Sequence, residues 1–204
     1  MNNDLRVVFY EVDKEEPFEK HAGLLPLISN ERRSRIDRIN NNALKNVLLM
    51  SEMTIIRESA KDLGVAPSCI LVRKTELGKP YIEGFPNYHI SLSHCEGMIA
   101  FACASAPIGI DIEKERKNCL SLAKRFFTEN EYNRIIESED QKKEFLLVWT
   151  RKEAYVKMTG QGLSVPLSSF DVYEAGGPAY VTGNYHSAAV DTTYTYSYVT
   201  GSSQ

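Results

Sequence analysis

The chain has 204 residues, of which 43% are hydrophobic and 25% charged, and its formal net charge is −3. This length suits one large domain or two small domains packed together, and the slightly acidic charge excludes a general attraction to nucleic acid. No apolar run is long enough to span a membrane, and four cysteines without CxxC spacing indicate reduced thiols in a cytoplasmic protein.

The first half of the sequence predicts one strand, two helices and a series of short strands. Alternating residues over 5–12 favour a strand. Ser29 or Asn30 begins a short basic helix, and a longer helix over Ala43–Leu63 ends at Gly64. Four short β-rich segments follow, with the sequences CILVRK, KPYIEG, YHISLS and GMIAFACAS, and turn residues separate them.

The second half opens at Pro107 with an acidic strand, and two short helices follow. One lies near Ser121–Arg125, and the other begins at TENE, a capping box with Thr128 at the N-cap and Glu131 at N3. A longer helix over Gln141–Thr159 comes next.

Two β segments close the chain, a hairpin turning at Gly176-Gly177 and the strand TTYTYSYVT. Because each half contains helices followed by strands, we predict an α+β fold. The lobes are residues 1–105 and 106–204, and no residue-level repeat relates them.

The acidic strand, GIDIEK, carries two carboxylates on one face. Side chains two apart on a strand share a face, so Asp111 and Glu113 stand side by side, about 7 Å apart at Cα. Like charges this close repel unless a cation lies between them. The alternative is an edge strand whose carboxylates both face water.

A second polar pattern lies in the long helix, within WTRKEAYVKMTGQGL. Residues four apart share a helix face, so Trp149, Glu153 and Lys157 line one side of it. A third carboxylate beside a lysine would serve a hard divalent cation and a phosphate. Taken alone, Glu153 and Lys157 are also compatible with an ordinary ion pair.

Three further segments are candidates for phosphate binding, and each also has an ordinary structural explanation. Ser93 and His94 end a strand, Lys79 lies in the tight turn LGKP, and Arg32 and Arg35 share one face of the basic helix. A glycine-rich phosphate loop is absent from the sequence.

In this order, GIDIEK, AKRFFTENEY and WTRKEAYVKMTGQGLSVPL closely resemble the Sfp-type 4′-phosphopantetheinyl transferases, with LGKPYI and ISLSH upstream. The resemblance covers the chain from Arg32 to Phe170. It implies a pseudo-dimer of two similar α/β lobes with coenzyme A in the cleft between them. It also implies transfer of the phosphopantetheine arm from coenzyme A to a serine of an apo acyl or peptidyl carrier protein, with release of adenosine 3′,5′-bisphosphate.

The resemblance assigns roles to residues of the two acidic segments. Asp111, Glu113 and Glu153 match ligands of Mg²⁺, for which Mn²⁺ is a possible substitute. Glu153 also matches a general base, and Lys157 matches a lysine that contacts the pyrophosphate. Glu131 matches a family glutamate too, but its capping box explains it equally well.

The resemblance further implies contacts with coenzyme A and with a carrier protein. The residues that match coenzyme A contacts are Arg32, Arg35, Lys79, Ser93, His94 and Lys157. Lys45 matches a further coenzyme A contact only if a gap is placed in the alignment with the family through NNNALKN. The basic segment Lys114–Arg125 is the expected docking site for an acidic carrier protein, and an internal pseudo-dimer favours a monomer.

Two other functions remain alternatives at this stage. One is a non-catalytic homologue that binds coenzyme A or a carrier protein. The presence of Asp111, Glu113, Glu153 and Lys157 argues against it, because loss of catalytic activity usually removes a ligand. The other is a Mg²⁺-dependent phosphodiesterase or nuclease, which predicts a broad basic groove that this acidic chain does not show.

Overall fold

The computed structural model describes residues 5–115, 119–173, 180–187 and 192–201. Its strands are β1 (Arg6–Glu11), β2 (Val72–Lys74), β3 (Pro80–Ile82), β4 (His89–Cys95), β5 (Met98–Ala104), β6 (Ile108–Lys114), β7 (Tyr180–Ser187) and β8 (Thr192–Thr200). Its α-helices are α1 (Asn30–Asp37), α2 (Asn42–Leu63), α3 (Cys119–Phe126), α4 (Glu129–Glu137) and α5 (Gln141–Thr159). The predicted fold class, α+β, is confirmed.

The helix ends follow the local signals in the sequence. Ser29 caps α1, because its side chain accepts a hydrogen bond from the amide of Arg32. Gly64 and Gly160 end α2 and α5 in the left-handed conformation, at φ 66° and 72°. Both hydrogen bonds of the predicted capping box before α4 are present.

The described strands form three antiparallel sheets. The first has the order β1-β5-β4, the second pairs β2 with β3, and the third has the order β6-β8-β7. The longest helices pack against different sheets, α2 against β4 and β5 and α5 against β6 and β8. The hairpin turn predicted at Gly176-Gly177 lies outside the described residues.

The two faces of β6 have different partners. Ile108, Ile110 and Ile112 are buried in one cluster with the small residues of β5, so the first and third sheets share a core. The opposite face carries Gly109, Asp111 and Glu113 and lies towards α5. The alternation read from the sequence therefore separates a core face from a polar face.

Gly109 allows α5 to come unusually close to β6. A Cβ atom at this position would lie 1.9 Å from the carbonyl oxygen of Ala154 and 2.5 Å from the amide nitrogen of Met158. Both atoms belong to the helix backbone, which cannot rotate away as a flexible side chain can. The contact that brings α5 to the acidic strand therefore requires glycine.

Glu131 takes part in a buried ion pair as well as in its capping box. Its carboxylate lies 2.8 Å from Nζ of Lys152, and both side chains are fully buried. Lys152 also donates to the carbonyl oxygens of Leu167 and Phe170. This arrangement fastens the segment after α5 to the start of α4, so Glu131 has a structural role.

Candidate active site between β6 and α5

The centre of the site is a hydrogen-bonded group of three side chains. Asp111 Oδ1 accepts a hydrogen bond from Lys157 Nζ at 2.6 Å and one from Ser93 Oγ at 2.6 Å. Lys157 Nζ also donates to Ser93 Oγ at 2.8 Å. Three elements meet here, because Ser93 is on β4, Asp111 on β6 and Lys157 on α5. The spacing of these residues along the chain gives no sign of the contact.

Asp111 is buried, with 4% of the residue exposed. Its second carboxylate oxygen, Oδ2, is buried and has no hydrogen-bond partner among the described residues. A buried carboxylate oxygen without a partner is costly unless a ligand completes it. The alternative in which both carboxylates face water is therefore wrong for Asp111. β6 is indeed an edge strand, but β4 and α5 cover it.

Glu113 and Glu153 are half-buried at the same interface. Glu113 Oε1 accepts a hydrogen bond from the indole nitrogen of Trp149 at 3.2 Å. Glu153 lies one helical turn after Trp149 on α5. It lines a cavity of about 290 Å³ together with Lys157 and Val156. The predicted polar face of α5 is thus turned towards β6, and Lys157 forms an ion pair with Asp111.

The donor chemistry of these carboxylates fits a hard divalent cation. Hard cations prefer carboxylate oxygens, and Asp111 Oδ2 is a buried oxygen that still lacks a partner among the described residues. Among the described residues, no group of three or more His, Cys, Asp or Glu side chains is arranged so that it could hold a metal ion. The structure therefore supports Asp111 as an oxygen ligand, and the full set of three carboxylates stays a prediction.

A larger cavity of about 680 Å³ adjoins the first. Gly78, Pro80 and Leu92 contribute to the walls of both, so the two cavities are neighbours. The lining of the larger one contains three of the predicted coenzyme A contacts: Arg32, Arg35 and His94. Its volume lies within the range of about 300–1,000 Å³ that is typical of small-molecule sites.

Arg32 is held in the wall of this cavity by a buried carboxylate. Its Nε atom donates to Glu52 at 3.1 Å, and the backbone amide of Ser29 donates to the same carboxylate at 2.6 Å. Since Glu52 is 4% exposed, the pair fixes the arginine at the start of α1. Glu52 was not expected from the sequence, because it lies on a different helix.

Lys79 and Lys45 are not among the residues that line the large cavity. Lys79 lines the smaller cavity, and its Nζ donates to the carbonyl oxygens of Met158 at 2.6 Å and Ile108 at 3.3 Å. Burial lowers the pKa of Lys79 to about 8. It connects the turn between β2 and β3 to the end of α5. Lys45 instead lies over the ring of Phe18, 5.2 Å from its centre.

Two basic residues of the large cavity were missed in the sequence, Arg73 and Lys74 of β2. Each is paired with a carboxylate, Arg73 with Glu83 and Lys74 with Glu31. The segment CILVRK contains both cations, but a strand sequence does not reveal which cavity its side chains will line.

His94 is a neutral histidine in a positively charged wall. Burial lowers its pKa to about 4, and the charges of Lys157, Arg32 and Arg35 act in the same direction. The residue as a whole is exposed to solvent, which screens those charges. Near pH 7 the imidazole can still donate one N–H group to an anion.

The lowered pKa predicts a pH dependence of stability. Between about pH 6.5, the ordinary pKa of histidine, and the lower pKa of the folded state, the unfolded chain binds more protons. The free energy of unfolding therefore falls as pH falls through this window. We expect the melting temperature to fall less between pH 7 and pH 5 for His94→Gln than for the unsubstituted protein. Equal losses in calorimetric scans would contradict the assignment.

The fold and the site together define the class of protein. It is an α+β protein in which a buried carboxylate and a lysine lie beside a basic cavity of nucleotide size, an arrangement suited to phosphoryl chemistry. In the described part of the chain, no helix is both long and apolar enough to cross a membrane.

Comparisons with known proteins give the family. A family model described as the 4′-phosphopantetheinyl transferase superfamily matches residues 107–201. A 4′-phosphopantetheinyl transferase of Bacillus subtilis is 36% identical, with 73% of this chain and 67% of the relative covered. The transferase Sfp of Bacillus subtilis strain 168 is 33% identical over 76% of this chain and 70% of its own length. The transferase psf-1 of Bacillus pumilus is 34% identical, with coverages of 72% and 64%.

The chain therefore belongs to the 4′-phosphopantetheinyl transferase superfamily and is an enzyme of that class. The resemblance found in the sequence is confirmed. The matched region includes β6 and α5, the two elements that carry the carboxylates and Lys157.

Proposed function

We propose that the protein transfers the 4′-phosphopantetheine arm of coenzyme A to a serine of an apo acyl or peptidyl carrier protein, with release of adenosine 3′,5′-bisphosphate. It acts in the cytoplasm as a monomer of two similar lobes, residues 1–105 and 106–204. The observation that carries this proposal is the contact of buried Asp111 with Lys157, beside a cavity lined by Arg32, Arg35 and His94.

The large cavity suits the nucleotide part of coenzyme A. Arg32 and Arg35 supply positive charge for its phosphates, and Arg32 is already oriented by Glu52. His94 in its neutral form adds one N–H donor. The adjoining smaller cavity contains Lys157 and Glu153, so the pyrophosphate would lie where the two cavities meet.

Asp111, Glu113 and Glu153 would hold Mg²⁺, or Mn²⁺ in its place. When bound, the cation supplies charge neutralisation for the pyrophosphate of coenzyme A. The support for this step is the buried, unpartnered Oδ2 of Asp111 among the described residues and the carboxylate chemistry of the other two side chains.

The remaining steps use side chains of α5. Glu153 takes the proton of the carrier serine, directly or through water. The serine oxygen then forms a bond to the phosphorus that carries the pantetheine, and the bond from that phosphorus to the bridging pyrophosphate oxygen breaks. Lys157 donates a hydrogen bond to the oxygen that gains negative charge, so adenosine 3′,5′-bisphosphate leaves.

The carrier protein would dock along Lys114–Arg125. Lys124 and Arg125 are exposed in the last turn of α3, and Leu120 of the same helix is 38% exposed. Positive charges around an apolar side chain suit an acidic helical partner. Arg116 and Lys117, also expected to contribute, lie outside the described residues.

The direct test is the intact mass of an apo carrier protein after incubation with this enzyme and coenzyme A, with and without Mg²⁺. We expect a Mg²⁺-dependent gain of one phosphopantetheine group, and no gain for a carrier whose acceptor serine is replaced by alanine. Coenzyme A binding without any gain on fatty-acid, polyketide and peptidyl carriers would favour the non-catalytic alternative. Cleavage of coenzyme A without carrier labelling would favour a phosphodiesterase.

A further inference from the structure

Lys74 and Glu31 form an ion pair that joins two walls of the large cavity. Lys74 belongs to β2 and Glu31 to the first turn of α1, and both residues line this cavity. Their side chains are 37% and 69% exposed, so the pair lies at the solvent side of the cavity. The hydrogen bond from Lys74 lowers the pKa of Glu31, so the carboxylate is ionised near pH 7.

The neighbouring cation of β2, Arg73, has a different kind of partner. Successive residues of a strand point to opposite faces, and Lys74 shares its face with Val72, which packs against the core. Arg73 lies on the other face and pairs with Glu83, directly after β3. The Arg73 pair therefore stays within the pair of strands β2 and β3, whereas the Lys74 pair reaches a helix 43 residues earlier in the chain.

The ion pair of Lys74 is one that a phosphate group can displace. Ion pairs between exposed side chains are weak, because water solvates both charges well. A phosphate monoester carries more negative charge than a carboxylate near pH 7 and offers three strong acceptor oxygens. Its hydrogen bonds to a lysine are charge-assisted. A phosphate that enters the cavity can therefore replace Glu31 as the partner of Lys74.

We propose that Lys74 is a further phosphate-binding residue of the large cavity, and that Glu31 holds it until the 3′-phosphate of coenzyme A takes the place of Glu31. This inference rests on the proposed binding of coenzyme A. The pyrophosphate is expected where the two cavities meet, and the described lining of the smaller cavity does not include Lys74. The 3′-phosphate is the phosphate that remains for the large cavity. The Glu31–Lys74 pair is thus a latch, closed in the free protein and open when the nucleotide is bound.

The test measures the dissociation constant of adenosine 3′,5′-bisphosphate for the full chain, by isothermal titration calorimetry without divalent cation. Glu31→Gln removes the competing carboxylate at nearly the same size, so we expect this constant to fall by about two- to fivefold. Lys74→Met keeps an apolar stem but loses the ammonium group, so we expect the constant to rise by about tenfold or more. With adenosine 5′-monophosphate, which lacks the 3′-phosphate, we expect both changes to stay within about twofold.

Glu83→Gln is the matched control for Glu31→Gln. It also neutralises an exposed glutamate that is paired with a cation of β2, but the described lining of the large cavity does not include Glu83. Since its charge is exposed and screened by salt, we expect the dissociation constant to change by less than about twofold. A gain in affinity equal to that of Glu31→Gln would reflect only the loss of a negative charge nearby and would overturn the latch.

The direction of the two main effects separates a latch from an ordinary ion pair. An ion pair that only stabilises the fold would make Glu31→Gln and Lys74→Met act in the same direction. That result, or unchanged binding in both variants, overturns the proposal, and equal effects on adenosine 5′-monophosphate overturn the assignment to the 3′-phosphate. If Lys74→Met does not fold, Lys74→Gln provides the same comparison.

Failure of the proposed function itself has a different signature. In that case the unsubstituted protein does not bind adenosine 3′,5′-bisphosphate, or the carrier protein gains no mass in the transfer assay. Failure of the latch leaves both of these properties of the unsubstituted protein intact and appears only in the variants.

Discussion

Asp111→Asn is expected to lower kcat/KM for carrier modification by at least about 100-fold, because loss of a direct ligand should cost no less than loss of its hydrogen-bond partner. The amide keeps the shape of the carboxylate, and its oxygen can still accept hydrogen bonds from Ser93 and Lys157. The substitution removes the negative charge, and it replaces the second carboxylate oxygen by an amide nitrogen that does not accept hydrogen bonds. The measurement is the initial rate of holo-carrier formation at several Mg²⁺ concentrations.

The fold should survive this change. Lys157 loses its ion pair with Asp111, but its side chain is 30% exposed and can be hydrated. We therefore expect the melting temperature to fall by only about 2–8 °C, as for a cost of about one or two kcal/mol. Asp140→Asn is the matched control, since it removes an exposed charge at the N-cap of α5 and retains a good capping side chain. Full activity of Asp111→Asn would refute the assignment.

Gly109→Ala is expected to destabilise the protein by more than about 3 kcal/mol, which is beyond the usual cost of one extra methyl group in a core. The new Cβ would meet the backbone of α5 at 1.9 Å from Ala154 O and 2.5 Å from Met158 N. The helix must therefore move away from β6. That movement would also separate Lys157 from Asp111, so activity should be lost with stability.

Chemical denaturation and thermal melting measure this effect directly. A cost of this size corresponds to a fall of about 6–12 °C in melting temperature for a chain of this length. Gly23→Ala is the control, because a Cβ at Gly23 has no atom within 4 Å, and we expect a change within about 0.5 kcal/mol. A melting temperature of Gly109→Ala equal to that of the unsubstituted protein would contradict the close approach of α5.

Local signals made the helices predictable from the sequence. Ser29, Thr128 and the two glycines at the ends of α2 and α5 act on backbone groups only a few residues away. Each signal therefore works in the same way whatever the rest of the chain does. The strand GIDIEK was equally readable, because alternation along a strand assigns its side chains to two faces.

The partners of the site residues were much less predictable. The sequence offered Glu153 as an ion-pair partner for Lys157, four residues away, but the lysine is paired with Asp111, 46 residues earlier. Likewise, Glu52 orients Arg32 across 20 residues. Contacts between separate elements depend on how those elements pack against each other. The spacing of residues along the chain does not predict that packing.

The sequence by itself determined the α+β class, the family and the ends of α2 and α5, because these depend on local periodicity, caps and motifs. Only the tertiary structure decided that Ser93 binds Asp111, that Lys79 connects to the end of α5 and that Arg73 and Lys74 line the same cavity as Arg32. The physical reason is that burial and hydrogen bonding between distant segments are set by the docking of α5 on β6 and of β4 beside it. That docking is a property of the whole core.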